Sequence, residues 1–78
     1  MSEIKKIDLH GMHAREAIEK LEYTIDRAII ADAWCIEIMH GRGTGKLKNE
    51  VSKYLKKSKQ IKRFEVDPLN PGVTKAYL

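Results

Sequence analysis

Hydrophobic and polar positions along this 78-residue chain change period several times, and those changes divide it into six short elements. Over residues 6–10, Ile7 and Leu9 fall on one side while Asp8 and His10 fall on the other. That period of two predicts a half-buried strand, which Gly11 ends. From Ala14 the apolar positions Ala14, Ala17, Ile18, Leu21, Ile25, Ala28 and Ile29 recur at spacings of three and four. This is one helical stripe, predicted to run to residues 31–32. His13 occupies its N-cap position, with Glu16 at the spacing of a capping box. Residues 34–39 (WCIEIM) are apolar, rich in Ile and of strand length.

The glycine-punctuated segment of residues 40–45 follows. A second helix then carries Leu47, Val51, Tyr54 and Leu55 on its buried stripe, capped by Thr44 or Gly45. Residues 61–66 read as a third strand, residues 67–72 as turn chemistry, and residues 73–78 as a fourth strand antiparallel to the third. The order is βαβαββ. A strand, a long helix and a strand imply parallel pairing of the first two strands. One apolar stripe per helix predicts an α/β two-layer sandwich of the α+β kind, with both helices on one face of a four-stranded mixed sheet. The other face is left open, with Asp8 and His10 pointing there if Ile7 and Leu9 face the helices.

Composition narrows the functional classes. The length predicts one domain over residues 1–78, too small for a deep enclosed cavity. One cysteine, Cys35, excludes an internal disulfide and a cysteine-based zinc site; with no basic neighbour to activate it, it reads as a small buried or half-buried thiol. No apolar run approaches the roughly 20 residues that span a bilayer, and the first residues have no apolar signal core. An intracellular, cytoplasmic setting without membrane contact is the expectation.

The net charge of +4 hides an asymmetry. Residues 1–39 hold five Lys/Arg against eight Asp/Glu, and residues 40–78 hold ten against three. The second half therefore predicts a polyanion-binding surface, with Glu50 the only acid among the eight basic residues of segment 46–63. Few aromatics accompany these charges; Trp34 and Tyr54 read as packing residues rather than platforms for bases.

Two motifs carry candidate chemistry. Asp8-Leu9-His10-Gly11 ends the first strand, and His40-Gly41-Arg42-Gly43-Thr44-Gly45 ends the second. Parallel strands bring both to one sheet edge, where ligands of open α/β sheets collect. The glycines permit close backbone approach to a phosphate at a helix N-terminus, and Arg42, Thr44, Lys46 and Lys48 add donors. Lys53, Lys56 and Lys57 extend the basic surface. The spacing fits neither a P-loop nor a dinucleotide fingerprint. Imidazoles at His10 and His40, with Asp8 to orient one or hold a metal, suit phosphodiester cleavage. The lack of several convergent carboxylates argues against a two-metal site. A divalent ion such as magnesium or manganese remains an open cofactor, with Asp8 the candidate ligand.

Nearly the whole chain resembles the Smr (small MutS-related) domain. The resemblance rests on residues 7–11, on Glu16-Ala17, on residues 38–47, on Val51, Tyr54 and Leu55, and on Gly72 and Thr74 near the end. It implies a βαβαββ fold similar to the C-terminal domain of translation initiation factor three. It also implies a DNA-nicking or RNA-cleaving endonuclease with little sequence preference. Asp8 and His10 match the family's Asp-x-His motif, and His40, Gly41 and Gly43 its His-Gly-x-Gly motif. The implied partners are DNA, RNA and the ribosome, and the implied context is the C-terminus of a larger MutS-type protein of DNA repair and recombination. An excised domain is the expectation; oligomeric state is not implied. Pro71 departs from the family's glycine-richer loop. The alternatives are a non-catalytic nucleic-acid- or ribosome-binding module, and a structural or dimerising module.

Overall fold

The computed structural model describes residues 3–78. Its elements are β1 (Ile4–Asp8), α1 (Ala14–Ile30), β2 (Cys35–Met39), α2 (Lys46–Lys57), β3 (Arg63–Asp67) and β4 (Asn70–Tyr77). The sheet order is β1-β2-β4-β3. β1 pairs parallel to β2, and β4 lies antiparallel to both β2 and β3. The predicted βαβαββ order and mixed four-stranded sheet are therefore present.

Both helices cover the same sheet face. Ile7, Ile36, Ile38 and Ala76 form one core with Ala17, Leu21, Ile25 and Ala28 of α1 and with Val51 and Leu55 of α2. Leu47 and Tyr54 pack against that core from its margin. The predicted α1 stripe overshoots at Ile29, which is 45% exposed, because the helix ends one residue later. Ala33 N–H donates to Ala28 O and Asp32 N–H to Ile29 O, with Asp32 at φ 59°. This is a Schellman-type stop in which Asp takes the left-handed position usually given to Gly. The capping box does not form: His13 is the N-cap by position, but its side chain makes no capping bond.

Several strand ends differ from expectation, and pairing explains them. β1 begins at Ile4 because β2 offers it partners from Cys35, and stops at Asp8, opposite Met39. Beyond Met39 the partner strand turns away at Gly41, φ 84°, so His10 lies outside the ladder rather than on it. β3 starts at Arg63 rather than residue 61. β4 starts at Asn70, so part of the expected turn is strand. Pro71 is tolerated there because it sits opposite a register shift between Val66 and Asp67, where a missing N–H breaks no ladder bond.

The opposite sheet face is partly open, with Met39 42% exposed but Cys35 and Val73 buried. Cys35 is buried, and burial together with nearby Glu37 pushes its thiol pKa up, as expected for an inert thiol. Trp34 stacks on Tyr77 with ring centroids 6.1 Å apart. No helix among the described residues is long and apolar enough to cross a membrane.

Ile38 lies at the centre of this core and is fully buried. Ile38→Ala should cost about 2–5 kcal/mol in urea unfolding, a large share of the roughly 5–15 kcal/mol typical of a domain. Ile30→Ala, at a side chain 75% exposed, should stay within about 0.5 kcal/mol.

Candidate functional site

The carboxyl ends of β1 and β2 open into one cleft of about 420 Å³. His10, His13, His40, Arg42, Lys46 and Lys48 all line it, together with the glycine loop. The two motifs meet directly: a Cβ placed on Gly41 would lie 3.3 Å from the His10 Cβ. His10 and Gly41 thus abut, although thirty-one residues separate them.

Asp8 organises the first motif. One carboxylate oxygen, Oδ1, accepts the His10 backbone N–H at 3.1 Å and lies 2.5 Å from His10 Nδ1. The carboxylate accepts, so Nδ1 carries the proton, and Nε2 is left without a partner among the described residues. Both side chains are more than half exposed. The His10 ring, then its backbone N–H, holds the Asp8 carboxyl below its ordinary pKa of 3.8. Deprotonated Asp8 thus fixes the His10 ring and its tautomer.

His40 is arranged differently. It is 4% exposed, one of two buried polar residues among those described. Nδ1 lies 2.9 Å from the Gly41 carbonyl, which can only accept, so Nδ1–H is the donor. Nε2 lies 2.9 Å from Thr74 Oγ1, and in the neutral ring that hydroxyl donates to it. Both ring nitrogens are engaged. The sequence expectation of a second proton-handling imidazole therefore meets a ring committed to the loop behind it. The backbone reinforces this hold: Gly72 O accepts both His40 N–H and Gly41 N–H, each at 3.0 Å.

Thr74, Gly72 and His13 are the residues that sequence reasoning left without a role at the cleft. The first two contact His40 across β2 and β4, a pairing that local patterning does not reveal. His13 had one signal: it lies three residues from His10 across a turn.

The loop then prepares the start of α2. Gly45, φ 85°, is the N-cap, and Thr44 Oγ1 accepts the Lys46 N–H at 3.3 Å. The first intrahelical bond is Asn49 N–H to Gly45 O, which leaves the Leu47 and Lys48 amides ahead of it. Arg42 and Lys48 line a second hollow beside the loop with Pro71. Among the described residues neither they nor Lys46, Lys56 and Lys57 form an ion pair. The expected anion-binding residues thus surround one helix N-terminus, with Lys53, Lys56 and Lys57 further along α2.

A divalent ion finds few donors here. Asp8 is held by His10, and among the described residues no three His, Cys, Asp or Glu side chains converge to hold a metal. Asp67, at the end of β3, lies 3.9 Å from Lys75. The donor set does not fit a resident magnesium or manganese ion.

The Smr domain family model matches residues 7–78. The chain belongs to the Smr domain family. It is 39% identical over 67 residues to a protein named endonuclease MutS2 from Streptococcus mutans, and 40% identical to one from Streptococcus suis. Each match covers 86% of this chain but 9% of the relative, so the chain spans under a tenth of those proteins. The crystal structure of the Smr domain of Thermus thermophilus MutS2 superposes with a TM-score of 0.91 at 26% identity, covering 94% of this chain and 95% of that one. The solution structure of the SMR domain of NEDD4-binding protein 2 gives 0.74 at 26% identity, over 100% and 88%. The fold expected from the Smr resemblance is the fold found.

Two measurements check this geometry. Because its folded pKa is lowered, Asp8 contributes stability above pH 3.8 that is lost as pH falls through the lower folded value. Its carboxyl resonance should titrate below 3.8, and His10→Ala should return the midpoint toward 3.8. Gly41→Ala meets both a left-handed φ and the His10 Cβ, and should cost about 1–2 kcal/mol in urea unfolding. Gly43 has no such φ and open space around it, so Gly43→Ala should stay within about 0.5 kcal/mol.

Proposed function

We propose that the cleft cleaves phosphodiester bonds of DNA or RNA with little sequence preference. The observation that carries this reading is the Asp8–His10 pair, its free Nε2 at the rim of a cleft walled by unpaired basic groups. Phosphate binding falls to the Leu47 and Lys48 amides, Arg42 and Lys48, with Gly41, Gly43 and Gly45 admitting it closely. His10 Nε2 takes the proton of the attacking hydroxyl, from water or a ribose. Asp8 holds the imidazole in the tautomer that allows this and steadies the charge it gains. The attacking oxygen displaces one ester oxygen from phosphorus, and the departing oxygen takes a proton from solvent water. Arg42 and the loop amides offset the negative charge that builds on the non-bridging oxygens. His40 keeps the loop in place. None of these contacts reads a base, which agrees with low sequence preference.

Names borne by relatives support the class. The MutS2 proteins are called endonucleases, and their matching segment is a small part of a larger chain. By analogy we place this domain within a MutS-type protein acting on nucleic acid in DNA repair or recombination, in the cytoplasm. The binding-only reading, on nucleic acid or the ribosome, draws on one observation: His40 is closed off, so a single imidazole has a carboxylate partner.

Plasmid nicking and RNA cleavage assays separate these readings. His10→Ala should lower the cleavage rate by about 10²-fold or more, with Asp8→Asn lowering it less, while circular dichroism shows both variants folded. Undiminished cleavage by folded His10→Ala would overturn the assigned roles. Salt-dependent binding without cleavage of either substrate by the unmodified protein would establish the binding module.

A further inference from the structure

The cleft does not close at the helix N-terminus. Thr44 and Lys46 line it and also line a second open groove of about 540 Å³ that runs along α2 past Asn49, Lys53 and Lys56. Lys46, Lys53 and Lys56 are seven and then three residues apart, so they share one side of the helix. At 1.5 Å per residue they span about 15 Å of its axis. Lys57 is not in the groove lining, and Lys48 lies on the other side with the glycine loop and Pro71.

The groove is not neutralised from within. Its one acid, Glu50, lies 3.6 Å from Lys53, whose side chain is 72% exposed. Such an exposed pair is weak and exchanges readily for a phosphate. Asn49 and Ser52 supply uncharged donors between the lysines. A row of cations at this spacing, continuous with a phosphate-sized cleft, matches a linear polyanion better than a compact one.

We infer that one nucleic-acid strand held in the cleft continues along this groove, its phosphates passing Lys46, Lys53 and Lys56 in turn. This rests on the reading of the cleft as a nucleic-acid site and adds an extent and a path to it. At about 3.4 Å of rise per nucleotide in a stacked strand, the groove takes some four nucleotides to one side of the scissile phosphate.

The probes are labelled single-stranded oligothymidylates of about three and about eight nucleotides, chosen to fill the cleft alone or cleft and groove together. Fluorescence anisotropy over a salt series reads their affinity for the intact protein. The longer strand should bind about tenfold more tightly, with a log–log salt slope steeper by about 1.4, near 0.7 for each of the added contacts at Lys53 and Lys56. Lys53→Gln/Lys56→Gln should lower the longer strand's slope by about 1.4 and leave the shorter strand's affinity within about twofold. Arg27→Gln, which removes a charge from the exposed side of α1, should change neither.

Equal affinity for the two lengths in the unmodified protein would overturn the groove path while leaving the cleft as a site. That arm needs no variant. An unchanged salt slope in the double variant would overturn it equally. Binding of neither strand by the unmodified protein would overturn the cleft reading and the groove together.

Discussion

The buried His40 ring is the fastening on which the site depends. It sits at the end of β2, where the chain leaves the sheet through a left-handed glycine. A loop so rich in glycine has no side-chain packing of its own to hold it. The ring supplies that hold from below, joining the Gly41 carbonyl on one side to Thr74 of β4 on the other. Leaving either ring nitrogen bare in this interior costs about 1–3 kcal/mol, so the two bonds are strongly favoured together. The Gly72 carbonyl adds two backbone bonds to the same turn.

Much of the geometry at the rim follows from that fastening. Gly41 is held against His10, so the glycine loop and the His10 imidazole keep one separation. Asp8 settles the orientation of the His10 ring from the other side. The cleft therefore separates two histidines by role. One is buried and holds backbone; the other is exposed, oriented and open at Nε2. The basic residues of α2 then extend the positive surface away from the cleft, where the proposed strand would meet sequence-independent contacts.

The fold was largely legible because its period changes are sharp. The stripes of α1 and α2 and the alternation at Ile7 and Leu9 each named the face that became core. The convergence of the two His-Gly motifs was legible too, since parallel pairing of β1 and β2 dictates it. What stayed hidden depends on partners distant in sequence. The ends of β1 and β4 are set by where β2 and β3 offer hydrogen bonds, not by local propensity. The partner of His40 is Thr74, thirty-four residues on, and only the β2–β4 register brings them together. Burial of His40 was hidden for the same reason: beside Gly41 and Arg42 it reads as a loop residue, yet its side chain continues the buried row of Ile36 and Ile38.

The central claim is that His40 fastens the loop through a defined ring orientation, and its tautomer tests this most directly. Long-range ¹H–¹⁵N correlation spectra of the imidazoles, recorded with the rings neutral, distinguish the two nitrogens. The structure requires the proton of His40 on Nδ1, donated to Gly41, with Nε2 accepting from Thr74. A spectrum with the proton on Nε2 would leave the Gly41 carbonyl unheld and contradict the account.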